Sequence, residues 1–261
     1  MSTPRPLVVA HRGASYETGE HTLGAYLAAL EAGADALECD VRLTRDGHLV
    51  LFHDRTLLRT AGVDKVVSEM TLAELREYDF GAWKRTGPRP EGRAWELDTI
   101  LTLRTFLETA RDAGRRVELF IETKHPVRYG GRLEQELATM LQEFGWDRAG
   151  SPVRVMSFQI SAVRRMQRLT PALRQVMLVD QPRHWRALRP LIAKDWIVGP
   201  GIQLLRQVPS LPAWARATGR ELSVWTINNE DDLALCLERG ASAITTDRPG
   251  WARGQLEALG V

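Results

Sequence analysis

Ala36-Leu37-Glu38-Cys39-Asp40-Val41 combines an apolar run with two carboxylates spaced two residues apart. Strand side chains alternate between faces, so Leu37, Cys39 and Val41 share one face while Glu38 and Asp40 share the other. The apolar face demands a covering layer of helices. Both carboxylates must then point to the inside of whatever the strand encloses. The stretch Val117 to Lys124 repeats the pattern: Val117, Leu119 and Ile121 face the helices, and Glu122 and Lys124 face in.

Working outward, similar apolar runs predict strands at Leu7–Arg12, Ala36–Thr44, Val117–Lys124, Val153–Phe158, Gln175–Asp180, Ile197–Leu204, Leu222–Ile227 and Ala243–Thr246. Helical patterns lie near 22–32, 99–113, 132–144, 160–169, 183–193, 210–218, 230–239 and 250–259. Strands alternating with helices imply βαβ units and a parallel sheet. Eight units in 261 residues imply a closed (β/α)8 TIM barrel, with an open doubly wound sheet as the alternative. One interval breaks the rhythm. Between Thr44 and Val117 lie roughly 70 residues, where one crossover needs about 25. This excess holds a hairpin strand at His48–His53, a helix near Thr71–Tyr78 and a Gly-, Pro- and Arg-rich loop at Gly81–Gly92. It reads as an insertion after strand 2, at approximately residues 55–97, within a single domain spanning 1–261.

Composition narrows the function. With 35 basic and 33 acidic residues the net charge is +2, too small to argue for nucleic acid. The two cysteines, Cys39 and Cys236, are far apart and form no thiol–metal spacing. No apolar run approaches the ~18 residues of a bilayer span, so stable membrane insertion is not expected and a cytoplasmic location is.

Polar residues at the C-terminal ends of barrel strands point into the loop-lined mouth, where active sites form. Here those ends carry His11-Arg12, Glu38, Asp40, Glu122, Lys124 and, on the hairpin, His53-Asp54. Three carboxylates aimed at one mouth repel one another and persist by holding protons or a cation. Oxygen ligands alone favour a hard ion, Mg²⁺ or Ca²⁺. Arg12 and Lys124 suit an anionic substrate, and three carboxylates, a divalent ion, these two cations and a phosphodiester sum to zero charge. His11 and His53 have the chemistry of an acid/base pair, against the commoner structural role of a lone histidine. Trp225 has the inward parity and either walls a substrate pocket or fills the barrel. Asp247 braces the mouth. Phe80 and Trp83 either cover a substrate or form a local core under the insertion.

These residues stand in an ordered set of motifs: Ala10-His11-Arg12-Gly13, Glu20-His21-Thr22-Leu23, Leu37-Glu38-Cys39-Asp40-Val41, Thr44-Arg45-Asp46-Gly47, His53-Asp54-Arg55-Thr56-Leu57, Ile121-Glu122-Thr123-Lys124, Ser157-Phe158, Trp225-Thr226-Ile227-Asn228 and Thr246-Asp247-Arg248-Pro249. The set, which spans nearly the whole chain, resembles the glycerophosphodiester phosphodiesterase family. The resemblance implies a TIM barrel with an insertion after strand 2. It implies one divalent cation on Glu38, Asp40 and Glu122, acid/base histidines at His11 and His53, and phosphate contacts from Arg12 and Lys124. The implied reaction splits a small glycerophosphodiester into sn-glycerol 3-phosphate and an alcohol. A lysophospholipase-D-like or cyclic-phosphate-forming activity on the same barrel is the alternative, and a non-enzymatic binding module is disfavoured by the intact histidines and carboxylates. The chain departs from the family at Gly19-Glu20-His21-Thr22, where Pro-Glu-Asn-Thr is usual, and at Glu96-Leu97-Asp98, where Pro-Thr-Leu is usual. The oligomeric state is left open.

Overall fold

Parallel strands with apolar residues on both faces need cover on each side, and the chain supplies it by alternating strand with helix. In the computed structural model, which describes residues 5–85 and 96–261, the parallel strands are β1 (Leu7–Ala10), β2 (Ala36–Leu43), β4 (Glu118–Thr123), β5 (Val153–Ser157), β6 (Arg174–Val179), β7 (Ile197–Pro200), β8 (Ser223–Val224) and β9 (Ala243–Thr246). Their order is β7-β6-β5-β4-β2-β1-β9-β8. Parallel bridges from Val198 to Leu222 and from Gly201 to Trp225 bring β7 to β8. The result is a nearly closed eight-stranded parallel barrel ringed by helices, the expected TIM architecture. β3 (Leu49–Leu51) pairs antiparallel with β2.

Alternation along the strands sorts side chains as the sequence implied. Leu37, Cys39, Val41, Leu119 and Ile121 pack with Tyr26, Phe106 and Leu107 in the layer between sheet and helices. Val9, Ala36, Phe120, Met156, Val176, Leu178, Ile197 and Ala243 fill the barrel interior. The register pairs Asp40 with Glu122 across β2 and β4, so the two stand side by side on the inner face. Helix starts follow the capping residues. Thr22 accepts from the Ala25 N–H ahead of the helix Leu23–Glu31, and Asn229 accepts from Asp232 ahead of Glu230–Arg239.

Several sequence expectations are trimmed: the strands expected at Leu7–Arg12, His48–His53 and Leu222–Ile227 are Leu7–Ala10, Leu49–Leu51 and Ser223–Val224. The strand expected at Ile197–Leu204 ends at Pro200, and a helix runs over Ile202–Gln207. Ile202, Leu204 and Leu205 are buried in either form, so an apolar run alone does not separate strand from helix. The helix expected at Thr71–Tyr78 is one turn, Leu72–Leu75, closed by a Thr71–Glu74 capping box. The insertion shares a small core with the segments flanking it, in which Leu57, Leu75 and Phe80 pack with Val50, Phe52 and Ile100. Phe80 is thus a core residue, edge-on to Phe52 at 5.4 Å. Trp83 is half exposed. The loop expected at Gly81–Gly92 is described only to Arg85, and its remainder lies outside the described residues.

Gly13 shows why the chain turns sharply after β1. Its φ is +88°, and a Cβ there would lie 2.6 Å from the Ala25 carbonyl carbon. Both strain and collision oppose any side chain. Gly13→Ala should therefore lower the melting temperature by ~5 °C or more in thermal unfolding.

Candidate active site

The sharp turn lifts Arg12 into the barrel mouth with a φ of 56°, a left-handed conformation uncommon outside glycine. Its backbone N–H donates to Glu38 Oε2 at 3.0 Å. Its Nη1 donates to Glu20 Oε1 at 3.2 Å, and its Nε lies 3.1 Å from Asp40 Oδ2. That Nε is buried and makes no aligned hydrogen bond, so the guanidinium keeps an unmet donor at the mouth.

Glu38, Asp40 and Glu122 are all buried, and each offers an oxygen within 4.8 Å of the others. Two full negative charges at that distance repel by about 3 to 4 kcal/mol at an effective dielectric of ~20. Burial, and then Asp40, push the Glu38 carboxyl well above its usual range. The same two causes raise Glu122 to about 8. Burial also opposes ionisation of Asp40, but Lys124, Arg12 and His21 outweigh it and hold Asp40 well below its usual value. Arg12 and Lys124 thus offset only part of the repulsion within the cluster. A divalent cation fits this donor set, because it can hold all three oxygens while neutralising them.

Lys124 touches this cluster directly. Its Nζ lies 2.9 Å from Glu122 Oε1 and 3.4 Å from Asp40 Oδ1. It therefore bridges Glu122 and the ionised Asp40 and also lines the mouth cavity.

Both histidines reach the mouth and each leans on an aspartate. His11 Nδ1 is 2.6 Å from Asp247 Oδ1. Ser15 Oγ also donates to Asp247, at 3.0 Å, and Asn228 Nδ2 donates at 2.6 Å. Against the cost of burial, these contacts bring Asp247 to about 2. The expected brace at the end of the last strand is thus the partner that orients His11. His53 Nδ1 is 2.7 Å from Asp54 Oδ1, and Arg59 holds Asp54 at 2.6 Å while also gripping Glu20. Burial, with Arg12 and Lys124 on the same side and Asp40 against them, lowers His53 to about 4. At neutral pH its ring is uncharged.

His21 takes the place of the family's asparagine. Its Nε2 is 2.9 Å from Asp40 Oδ2 and its Nδ1 is 2.8 Å from the Tyr26 hydroxyl, which also lies 3.0 Å from the Glu38 carbonyl. Burial lowers the pKa of this histidine against the opposing pull of Asp40. A ring N–H here can hold Asp40 in place of an amide N–H. Glu20, Arg59, Asn228 and Tyr26 belong to the site's support and were not singled out from the sequence. Glu20 and Asn228 do stand inside the motifs quoted above. Of the remaining histidines, His125 pairs with buried Glu134 at 2.8 Å, and His48 and His184 are exposed.

The cavity at the mouth encloses about 230 Å³. Its polar half carries His11, Arg12, Glu38, His53, Glu122 and Lys124, and its apolar half carries Met156, Phe158, Leu178 and Trp225. Trp225 stands edge-on to Phe158 at 5.4 Å and donates from Nε1 to the Gly199 carbonyl at 3.0 Å. All eight residues singled out from the sequence therefore converge here, Asp40 through its contacts with Arg12, Lys124 and Glu122.

Comparisons with known proteins cover nearly the whole chain. Residues 11–251 match the model of the glycerophosphoryl diester phosphodiesterase family. A Mycobacterium tuberculosis protein named probable glycerophosphodiester phosphodiesterase 1 is 43% identical over 97% of this chain and 93% of its own length. A Bacillus subtilis glycerophosphodiester phosphodiesterase is 31% identical over 95% of this chain and 86% of its own. The structure of an Oleispira antarctica phosphodiesterase in complex with its product sn-glycerol-3-phosphate superposes with a TM-score of 0.79, at 27% identity, covering 97% of each chain. With the family model matched over residues 11–251 and relatives similar along nearly the full length, the chain is an enzyme of the glycerophosphodiester phosphodiesterase family.

Proposed function

We propose that this enzyme hydrolyses small glycerophosphodiesters to sn-glycerol 3-phosphate and an alcohol, with one divalent cation, Mg²⁺ or Ca²⁺, held by Glu38, Asp40 and Glu122. The observation that carries the reading is the buried carboxylate triad within 4.8 Å, set beside Arg12, Lys124 and two aspartate-backed histidines in one cavity. The relative bound to sn-glycerol-3-phosphate supports the same product class. The chain acts as a single unit in this reading, because the insertion supplies Arg59 to Glu20 and Asp54 beside the site.

A bound divalent ion would supply Lewis-acid polarisation of the phosphoryl group. The chain's own residues do the rest. Arg12 and Lys124 draw the phosphodiester anion in and stabilise the charge that grows on its oxygens. Neutral His53, its Nδ1 fixed by Asp54, accepts the nucleophile's proton at Nε2. His11, its Nδ1 fixed by Asp247, donates a proton from Nε2 to the departing alkoxide. A phosphorus–oxygen bond to the nucleophile forms as the one to the alcohol breaks. The apolar wall of Met156, Phe158, Leu178 and Trp225 faces the carbon skeleton of the substrate.

The test is release of choline from glycerophosphocholine and from its acylated analogue, with and without Mg²⁺ or Ca²⁺. The reading expects ion-dependent release from the first and little from the second, because the described lining of the mouth encloses only about 230 Å³, little room for an acyl chain. Preference for the acylated substrate, or a cyclic phosphate as product, would replace it with the alternative activity.

Lys124 separates substrate binding from ion binding. Its contacts to Glu122 and Asp40 make it a competitor for the cation as well as a contact for the substrate. Lys124→Met should lose catalytic efficiency by ~10²-fold while calorimetric titration shows ion affinity retained or raised. Collapse of ion affinity together with activity would assign Lys124 a purely structural role.

A further inference from the structure

Beside the active-site mouth lies a second cavity, of about 410 Å³, between the end of β2 and the segment that follows β4. Its charged lining is Arg42, Arg55, Arg128 and one carboxylate, Glu69, giving a net charge of +2. Arg128 and Glu69 pair at 3.1 Å on the surface. Arg42 does not pair in this way. It is partly buried, and its Nε and Nη2 donate to the His53 carbonyl at 3.2 and 2.6 Å. Among the described residues, no carboxylate comes within salt-bridge distance of it. Three guanidiniums around one hollow with a single acid are an arrangement that oxygen anions complete, since each presents a planar fork of donors.

We infer that this cavity is a second anion site, for the tetrahedral dianion of a phosphomonoester. The inference rests on the proposed phosphodiesterase activity for its placement, though not for its charge. Arg42 follows Asp40 by two residues on the same face of β2, so it lies about 7 Å further along the strand. That is the reach of a short polyol. Two sources present the same chemistry. One is a leaving alcohol that itself carries a phosphomonoester, and the other is free inorganic phosphate or a phosphorylated product.

Arg55→Gln and Arg128→Gln test the site, because both side chains are exposed and neither belongs to the catalytic cavity. In the first arm, turnover of glycerophosphoglycerol is compared with turnover of the same diester carrying a phosphomonoester on its distal hydroxyl. The wild type should favour the phosphorylated substrate about tenfold or more in kcat/KM, and each variant should lose most of that preference with turnover of the unphosphorylated diester unchanged. In the second arm, inorganic phosphate is titrated calorimetrically into the ion-loaded protein. A free-ion site gives one more equivalent bound by wild type than by the double variant. Loss of preference in the first arm assigns the substrate source, and loss of an equivalent in the second assigns the free ion. Equal discrimination and equal stoichiometry in wild type and variants would overturn the site. Failure of the wild type to turn over either diester would instead refute the phosphodiesterase reading, and the phosphate titration would still decide the cavity.

Discussion

Replacing Glu122 with glutamine should lower kcat by ~10²-fold or more and weaken divalent-ion binding, with no loss of folded stability. Glutamine keeps the shape of the side chain and removes its charge. Because burial and Asp40 hold the Glu122 proton up to about 8, the neutral amide resembles the form this group takes without an ion. A carboxyl whose folded pKa is raised binds its proton more tightly in the native state than in the unfolded chain. Its contribution is therefore fully present below the ordinary value of 4.5 and is lost as pH rises towards about 8. Ion-free wild type should thus lose stability across that interval, and Glu122→Gln should lose less. Thermal unfolding at several pH values, run beside kinetics, checks both halves. A variant with unimpaired turnover would remove Glu122 from the ion site.

The histidines should give the second large effect. His11→Ala and His53→Ala should each lower turnover of an alkyl diester by ~10²-fold or more. Their responses to the leaving group should differ. A p-nitrophenolate departs with little protonation, so it should rescue His11→Ala and leave His53→Ala impaired. The ring of His53 accepts a proton only when neutral, and its pKa is lowered to about 4. Activity assigned to this base should therefore persist down the acid side and fall only as pH drops through about 4. Identical rescue of both variants by the aryl substrate would refute the division of roles.

Much of the site was legible because strand parity is a strict rule. Once Leu37, Cys39 and Val41 are assigned to the helix layer, Glu38 and Asp40 have only the interior left, and the register then sets Asp40 beside Glu122. The eight-unit rhythm was legible for a similar reason, since capping residues such as Thr22 and Asn229 mark helix starts independently of the apolar pattern. What remained hidden depends on side chains meeting across distant loops. Arg59 reaches Glu20 from the insertion, and Ser15 and Asn228 converge on Asp247 from opposite ends of the chain. No local spacing encodes such pairings. The segment after Pro200 was misread because burial favours apolar residues in strand and helix alike, so Ile202, Leu204 and Leu205 carried no distinguishing period. The Lys124–Glu122 pair shows a further limit: alternation puts both on one face without saying whether the ammonium turns to the carboxylate or to the cavity.

The most direct test of the account is to strip the protein of divalent ions and follow release of sn-glycerol 3-phosphate from glycerophosphocholine as Mg²⁺ or Ca²⁺ is returned, with ion binding measured in parallel by calorimetry. The account predicts negligible release from the stripped protein, and activity that rises with occupancy and saturates at one ion per chain. Full activity in the stripped protein, or activity that does not follow occupancy of a site removed by Glu122→Gln, would contradict it.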